Sequence, residues 1–228
     1  MRILLVSPPH AEAAYLHKAF QESAHSVQRV DDSRDAGFLA SQEPFDAIVV
    51  VAVKPWSCAV LLEWLPQLAA VRNRAALIAI LGPATAQERV SALRAGADAC
   101  FGQPYSFIEL QERMQALQRT ATPPTFTNTE RTRPSLQLDA LTRELVDGNH
   151  RVSVTKREYL LLECLMRQLN APVPRETLIR YGWPDKEDVD PSSVNLVVSR
   201  LRRKLEQHLP DAHIETVSRY GYQLSVTV

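Results

Sequence analysis

The first 119 residues alternate short apolar runs with longer segments of helical periodicity. The apolar runs are continuous, which is typical of strands buried on both faces of a parallel sheet, and they occupy Ile3–Val6, Phe45–Val51, Ala76–Leu81 and Ala99–Gly102. Helical spacing of apolar residues is found in Ala11–Gln21, Val60–Leu68, Ala86–Ala95 and Phe107–Arg119. This alternation predicts an open α/β sheet covered by helices on both faces. The natural ligand site of such a sheet lies at the carboxyl ends of its strands.

A segment rich in threonine and proline interrupts this pattern at residues 120–134. It contains a single aromatic residue, Phe126, and too few apolar side chains to form a core, so it is typical of a linker. The sequence therefore predicts one domain at 1–119, a linker at 120–134 and a second domain at 135–228.

The second domain begins with short strands and continues with three helices and a hairpin. Ser135–Val154 has strand patterning with a strong turn signal at Asp147-Gly148-Asn149. Thr155 and Glu158 form a capping box at the start of the first helix. The later elements are a helix over Arg175–Arg180, a helix that begins near Pro191, and a hairpin of Ile214–Val217 with Tyr222–Val226. Three helices followed by a hairpin predict an α+β winged helix-turn-helix.

Composition changes this picture in two respects. Lys and Arg together number 26, as do Asp and Glu, so any surface that binds nucleic acid has to be a local one. The cysteines, Cys58, Cys100 and Cys164, are widely spaced and form no metal-ligand motif. This favours reduced thiols, a cytoplasmic location and a protein without a metal or other cofactor. No apolar run is long enough for a signal peptide or a membrane span, so we expect no membrane association.

The helix that begins near Pro191 carries the strongest signal for function. Its buried stripe has steps of three and four residues and consists of Val194, Val198, Leu201 and Leu205. The opposite surface supplies the candidate DNA contacts Ser193, Val197, Arg200, Arg203 and Lys204, with Ser199 and Arg202 alongside. Arginine can bind a guanine through two hydrogen bonds or neutralise a phosphate. The hydroxyls of Ser192 and Ser193, with the free N–H groups of the first turn, could hold a phosphate.

Charge patterning alone leaves a second interpretation open. Basic residues near the end of a helix also complement the helix dipole and keep a surface solvated. The terminal hairpin favours DNA binding, because it carries Arg219 between Ser218 and Tyr220. A basic helix beside a basic hairpin suits a major groove and the neighbouring minor groove together.

Residues 135–228 resemble the output domain of the OmpR/PhoB family. The resemblance is carried by Val154–Leu162, Pro174–Leu178, Ser193–Leu205, Ile214–Val217 and Tyr220–Tyr222. It implies binding of double-stranded promoter DNA at tandem half-sites, usually as a dimer. It also implies contact with RNA polymerase through the loop between the second and third helices, here residues 181–191. The chain departs from the family at Ser218 and Arg219, where Arg and Gly are usual, and at Asn195 and Val197, where Asp and His are common.

Residues 1–119 resemble the receiver domain of the same family, a flavodoxin-like, doubly wound sheet of five parallel strands. The resemblance is carried by Ile3–Val6, Phe45-Asp46, Lys54-Pro55, Glu88–Val90, Gly96–Asp98 and Pro104–Phe107. Phosphorylation of such a domain needs clustered carboxylates for Mg²⁺ and a nucleophilic Asp. The corresponding positions hold Ser7, Pro8, Val51, Leu81 and Gln103, and Cys100 stands in place of the switch aromatic. The resemblance therefore implies a receiver that cannot be phosphorylated.

The resemblance also implies a dimer surface. In this family the fourth helix, fifth strand and fifth helix pair two receivers through ion pairs, and the matching residues are Arg89, Asp98, Glu109, Arg113 and Arg119. Exposed charges on helices also commonly face solvent and pair only weakly, so a purely solvated surface stays open as an alternative.

The sequence thus predicts a non-enzymatic transcriptional regulator that dimerises through its receiver and binds promoter DNA without phosphorylation. One alternative is a regulator that senses a small molecule or a partner protein through the altered receiver pocket. Another is a conventional phospho-switch that uses a different carboxylate. Against the latter, Asp46 falls at the wrong end of its strand, and Asp31, Asp32 and Asp35 fall near the second strand, where solvation is expected.

Overall fold

The computed structural model describes residues 1–53, 55–121, 136–140, 142–184, 186 and 188–226. It divides the chain into two compact units, each with its own hydrophobic packing. Residues 122–134 of the predicted linker lie outside the described residues, so the predicted boundaries at 119 and 135 stay predictions.

The first unit is a sheet of five parallel strands with helices on both faces. Its strands are β1 (Arg2–Val6), β2 (Ser26–Val30), β3 (Ala47–Ala52), β4 (Ala76–Leu81) and β5 (Ala99–Gly102). Its helices are α1 (Ala11–Glu22), α2 (Ser33–Gln42), α3 (Pro55–Val71), α4 (Ala86–Arg94) and α5 (Phe107–Ala121). The strand order is β2-β1-β3-β4-β5, which confirms the flavodoxin-like fold implied by the receiver resemblance.

Alternate residues of the strands in this unit enter two separate cores. On β1, Leu4 and Val6 pack with α2, α3 and α4, whereas Ile3 and Leu5 pack with α1 and α5. Every residue of β3 and β4 is buried. Because both faces are covered, these strands have no polar alternation, and their sequences are continuous apolar runs.

The apolar pattern did not delimit β2 and α2. The sequence of β2 is Ser-Val-Gln-Arg-Val, and only its first two residues are buried, because it is an edge strand of the sheet. Asp32 begins α2 by accepting a hydrogen bond from the backbone N–H of Asp35 at 2.8 Å. This side-chain cap is the local signal that begins the helix.

The second unit contains two small antiparallel sheets and three helices. The strands are β6 (Gln137–Asp139), β7 (Glu144–Asp147), β8 (His150–Ser153), β9 (Val173–Pro174), β10 (Ala212–Val217) and β11 (Gly221–Val226). The helices are α6 (Lys156–Met166), α7 (Arg175–Gly182) and α8 (Ser192–His208). The sheet orders are β6-β7-β8 and β10-β11-β9, and the predicted winged helix-turn-helix is confirmed.

Local signals begin and end several elements of this unit as predicted. The capping box of Thr155 and Glu158 is present at the start of α6. Gly148, with a φ of 55°, turns β7 into β8. The two-residue strand β9 was not predicted, and it pairs with β11 beside Gly221. A Cβ at Gly221 would lie 2.0 Å from the carbonyl oxygen of Val173, so this pairing requires glycine. No helix in the described ranges is both long and apolar enough to cross a membrane.

Candidate nucleic-acid interface

Helix α8 is fixed to the second unit by its apolar stripe. The predicted stripe residues are all buried in one cluster with α6, α7 and the hairpin, and they are Val194, Val198, Leu201 and Leu205. Val197 joins them, with 7% of its surface exposed. The placement of Val197 on the exposed face was therefore wrong, because Val197 lies three residues after buried Val194 and so on the same side of the helix. The buried stripe leaves the opposite face of α8 in solvent.

The solvent face of α8 presents two arginines and small polar groups. Arg200 and Arg203 are both exposed, and their spacing of three residues places them on the same side of the helix. Ser199 is exposed beside them, and Leu196 is an exposed apolar residue on the preceding turn. This face presents guanidinium donors and a hydroxyl to solvent, and their contact with DNA stays a prediction.

Arg202 differs from its two neighbours, because it binds the hairpin. Its Nε donates a hydrogen bond to the carbonyl oxygen of Ile214 at 2.7 Å, and its Nη2 donates to Oγ1 of Thr216 at 2.8 Å. Its guanidinium carbon also lies 5.8 Å from the centroid of the Tyr222 ring. Arg202, which the sequence placed among the DNA contacts, braces β10 against α8.

Lys204 is also engaged within the protein. Its Nζ donates hydrogen bonds to Oε2 of Glu158 at 2.7 Å and to the carbonyl oxygen of Ser153 at 2.9 Å. The Glu158 side chain is only 3% exposed and also closes the capping box of α6. Burial raises the pKa of Glu158, but the hydrogen bonds from Lys204 and Thr155 outweigh it and leave that pKa below its usual range. Lys204 thus joins α8 to α6 and to the end of β8.

The amino end of α8 is already capped. The backbone N–H of Ser192 donates to Oδ1 of Asp190 at 2.8 Å, and that of Ser193 donates to the carbonyl oxygen of Asp190 at 2.9 Å. Hydrogen bonds from Ser192 hold the pKa of the Asp190 carboxyl below its usual range. The prediction of free N–H groups at this end was wrong for both serines, and a carboxylate occupies the place where a phosphate was expected.

Tyr222, on β11, contacts side chains of both α7 and α8. Its hydroxyl donates a hydrogen bond to Oδ1 of Asn195 at 2.8 Å. The guanidinium of Arg175, at the start of α7, lies 5.6 Å from the ring centroid, and its Nη2 is 3.5 Å from the hydroxyl. With Arg202 on the same ring, α7, α8 and β11 meet at one side chain. The sequence did not predict this role, because Asn195 and Arg175 lie 27 and 47 residues away from Tyr222 along the chain.

The tip of the hairpin is exposed and basic. Val217 pairs with Gly221, so Ser218, Arg219 and Tyr220 form the connecting loop. Arg219 has a φ of 60°, in the left-handed region that favours glycine, and its side chain is exposed. Half of the Tyr220 side chain is exposed beside it. A cleft of about 590 Å³ lies between this loop and α7, with Arg175 and Glu176 on its other wall.

Two comparisons with known proteins agree with this geometry. The family model described as "Transcriptional regulatory protein, C terminal" matches residues 149–224. The response regulator MprA of Mycolicibacterium vanbaalenii is 30% identical over 229 residues, which span 100% of this chain and 98% of that protein. The chain belongs to the OmpR/PhoB family of response regulators. It is accordingly a DNA-binding transcriptional regulator, with a receiver as its first unit and the winged helix as its output domain.

Two further matches have lower sequence identity than MprA. The transcriptional regulatory protein CusR of Escherichia coli is 25% identical over 230 residues, covering 99% of this chain and 98% of CusR. A solved structure described as one of a family of streptococcal redox sensors evolved from two-component response regulators is 22% identical. It covers 99% of both chains with a TM-score of 0.44.

The receiver residues at the expected phosphorylation site do not form one pocket. Ser7 is buried, and its Oγ lies 3.0 Å from the carbonyl oxygen of Pro8. Val51 and Leu81 lie near the ends of β3 and β4 and are buried in opposite cores. Gln103 follows β5 and donates a hydrogen bond from Nε2 to Oε2 of Glu12 at 2.9 Å. These positions present apolar or already paired groups at the edge of the sheet.

Glu12 links two further elements of the receiver. Besides Gln103, it accepts a hydrogen bond from the hydroxyl of Tyr105. Burial, with this hydrogen bond, raises the pKa of Tyr105. One carboxylate therefore fixes the segment between β5 and α5 to the first turn of α1. The sequence offered no signal for this contact, because its partners are separated by 91 and 93 residues.

The carboxylates considered as substitutes for the nucleophile have other roles. Asp46 precedes β3, at the amino end of the sheet, and accepts a hydrogen bond from the backbone N–H of Arg2 at 2.6 Å. Asp32 caps α2, while Asp31 and Asp35 are exposed. Within the described part of the chain, no group of three His, Cys, Asp or Glu side chains could hold a metal ion.

Some residues of the expected dimer surface are bound to other groups of the receiver, and others are exposed. Asp98 forms an ion pair with Arg72 and accepts a hydrogen bond from the backbone N–H of Leu77. Arg89 donates to the carbonyl oxygen of Ala84 at 2.8 Å. Glu109, Arg113 and Arg119 are exposed on α5. Three exposed apolar residues, which the sequence did not predict as part of this surface, also lie on α4 and α5, and they are Val90, Leu93 and Ile108.

Proposed function

We propose that this response regulator binds tandem half-sites in promoter DNA as a receiver-mediated dimer, without aspartyl phosphorylation. The observation that carries the proposal is the chemistry at the carboxyl ends of the receiver strands. Ser7 and Pro8 follow β1 and Val51 lies near the end of β3, so the positions matched to the acidic pair and the nucleophile offer no carboxylate. Mg²⁺ needs oxygen ligands with negative charge, and phosphoryl transfer to the protein needs a nucleophile. These residues supply neither the ligands nor the nucleophile.

The proposed DNA contacts follow from which side chains remain available. Arg200, Arg203 and Ser199 would contact the major groove, and Arg219 with Tyr220 would contact the backbone or the minor groove beside it. Ser192 and Ser193 would contribute hydroxyls at the edge of the interface. We assign Arg202 and Lys204 to positioning, because their donors are already bound inside the domain. A positioning residue affects every DNA sequence alike, whereas a base contact affects one position of the site.

The proposed dimer uses the α4 and α5 surface. Ile108 is 71% exposed, and Val90 and Leu93 add further exposed apolar area. Apolar side chains surrounded by charged groups such as Glu109 and Arg113 are typical of protein interfaces. Ion pairs at the rim would select the partner and orientation, while the apolar residues supply the driving force.

The loop at 181–191 is the proposed contact for RNA polymerase. Within its described part, the backbone N–H of Lys186 donates to the carbonyl oxygen of Trp183 at 3.2 Å. Trp183 packs against the core and lies 5.3 Å from the guanidinium carbon of Arg157. Lys186 and Asp188 are exposed. A loop anchored at one end by an aromatic residue, with charges in solvent, suits a transient protein contact.

The test is selection of DNA by the untreated full-length protein from a randomised duplex pool, followed by a salt titration on the selected site. Paired half-sites, with affinity that falls steeply as salt rises, are expected. A parallel sample treated with acetyl phosphate and Mg²⁺ is read by intact mass and is expected to show no stable gain. Selection of DNA only after such a mass gain would contradict the proposal.

A second candidate function is a regulator whose receiver senses a ligand. The observation in its favour is a small apolar cavity of about 100 Å³ at the ends of β1 and β3. In that case the untreated protein would select no DNA until a ligand is present. The pool experiment therefore separates the two candidates.

A further inference from the structure

The cavity at the carboxyl ends of β1 and β3 is lined mainly by apolar side chains. Its volume is about 100 Å³, and its walls include Pro8, His10, Val51, Val60, Leu61 and Trp64. The described lining residues carry no charged side chain. A charged ligand would lose its hydration there without gaining a counter-ion, so the cavity selects against ions such as phosphate.

His10 lines the cavity and carries a buried ring nitrogen that can donate a hydrogen bond. Its Nδ1 lies 2.9 Å from the backbone nitrogen of Glu12 and 3.4 Å from that of Ala13, and it accepts from both N–H groups at the start of α1. Because Nδ1 accepts, the ring proton resides on Nε2. Nε2 is buried and has no hydrogen-bond partner among the described residues. A buried donor without a partner is costly, and a ligand that accepts its proton removes that cost.

We propose that this cavity binds a small uncharged ring compound with a single hydrogen-bond acceptor, which the Nε2–H of His10 recognises. The cavity, at about 100 Å³, is smaller than the apolar cavity of about 150 Å³ that is known to bind benzene, so the ligand is at most a single small ring. The valines and Leu61 supply apolar contact, and the Trp64 ring adds an aromatic wall. The proposal deepens the ligand-sensing candidate function, and only its regulatory meaning rests on that function.

Pyridine and benzene are suitable probes, because they have the same shape and differ in one acceptor nitrogen. The full-length protein is titrated with each probe at a pH at which pyridine is uncharged. Binding is read from the methyl NMR signals of Val50, Val51 and Val53, which line the cavity. Saturable shifts of these signals by both probes are expected, with the methyl signals of Leu224 in the output domain as an unshifted reference.

Two variants distinguish the contribution of the His10 donor to binding from the contribution of the cavity volume. His10→Asn keeps an oxygen that can cap α1 but removes the Nε2–H group. It is expected to weaken pyridine binding by roughly 3- to 10-fold and to leave benzene binding within about 2-fold. Val60→Phe adds volume from a half-buried position on α3 and is expected to abolish binding of both probes.

Three results would overturn the proposal. They are no saturable shift with either probe, an unchanged affinity for pyridine in His10→Asn, and undiminished binding of both probes in a folded Val60→Phe protein. The titration is read on the protein without DNA. A failure to bind probes therefore says nothing against DNA binding, and a failure of the DNA selection leaves the ligand site standing.

Discussion

Two pairs of basic residues lie within five positions on α8 and have opposite environments. Arg200 and Arg203 extend into solvent, whereas Arg202 and Lys204 reach back to the hairpin and to α6. The four side chains carry the same charge and differ only in where the helix aims them. A basic helix is therefore not uniformly an interface, because part of its charge holds the domain together and the rest is left for a ligand.

Of the substitutions that test this difference between the two pairs, Lys204→Met is expected to have the largest effect. The substitution leaves the Glu158 carboxylate buried without its cation, and breaking a buried ion pair is strongly destabilising. Since about a third of the Lys204 side chain is exposed, we expect a loss of about 2 kcal/mol in the free energy of unfolding, measured by urea denaturation.

The pH dependence of that loss is a direct control. The pKa of Glu158 is lowered in the folded protein, so the pair stabilises fully above the usual pKa of glutamate and its contribution is lost as the pH falls through the lowered value. The difference between wild type and Lys204→Met is expected to shrink over that acidic range. A difference that stays constant with pH would contradict the assignment of the effect to the ion pair.

Arg200→Ala is expected to leave folding intact and weaken DNA binding. An exposed arginine contributes within about 0.5 kcal/mol to stability, but a base contact is worth about 1–3 kcal/mol of binding. Fluorescence anisotropy with the selected half-sites measures the affinity. Arg34→Ala, an exposed arginine on α2, is the matched control for charge. Equal losses for the two variants would remove Arg200 from the interface.

Arg202→Ala is expected to lower both the free energy of unfolding and the free energy of DNA binding, each by about 1 kcal/mol. The substitution removes two hydrogen bonds that hold β10 to α8. The loss of affinity is expected to be uniform over all single-base variants of the site. A loss concentrated at one base pair would instead show that Arg202 reads DNA directly, as the sequence first suggested.

Arg219→Gly is expected to change the free energy of unfolding in the opposite direction, by stabilising the domain. The residue has a φ of 60°, and glycine relieves about 1 kcal/mol of backbone strain there. DNA affinity is expected to fall, with the slope of log affinity against log salt reduced by about 1. An unchanged slope would mean that Arg219 does not neutralise a phosphate.

The fold could be predicted from the sequence because its signals are local. The apolar runs of β3 and β4 and the capping box of Thr155 need no knowledge of distant residues. The site could be predicted only in part. Arg202 and Lys204 have partners 12 to 51 residues away, and Asp190 caps α8 through loop geometry that no periodicity encodes. Periodicity also misplaced Val197, because it cannot define how wide a buried face is.

The ring of Tyr222 has a consequence for the kinetics of DNA association. It joins α7, α8 and the hairpin, so the elements proposed to face DNA are already in their relative positions before contact. Little conformational entropy then remains to be lost when the complex forms. Association is expected to follow a single second-order step whose rate depends on ionic strength, without a slower phase from rearrangement of the domain.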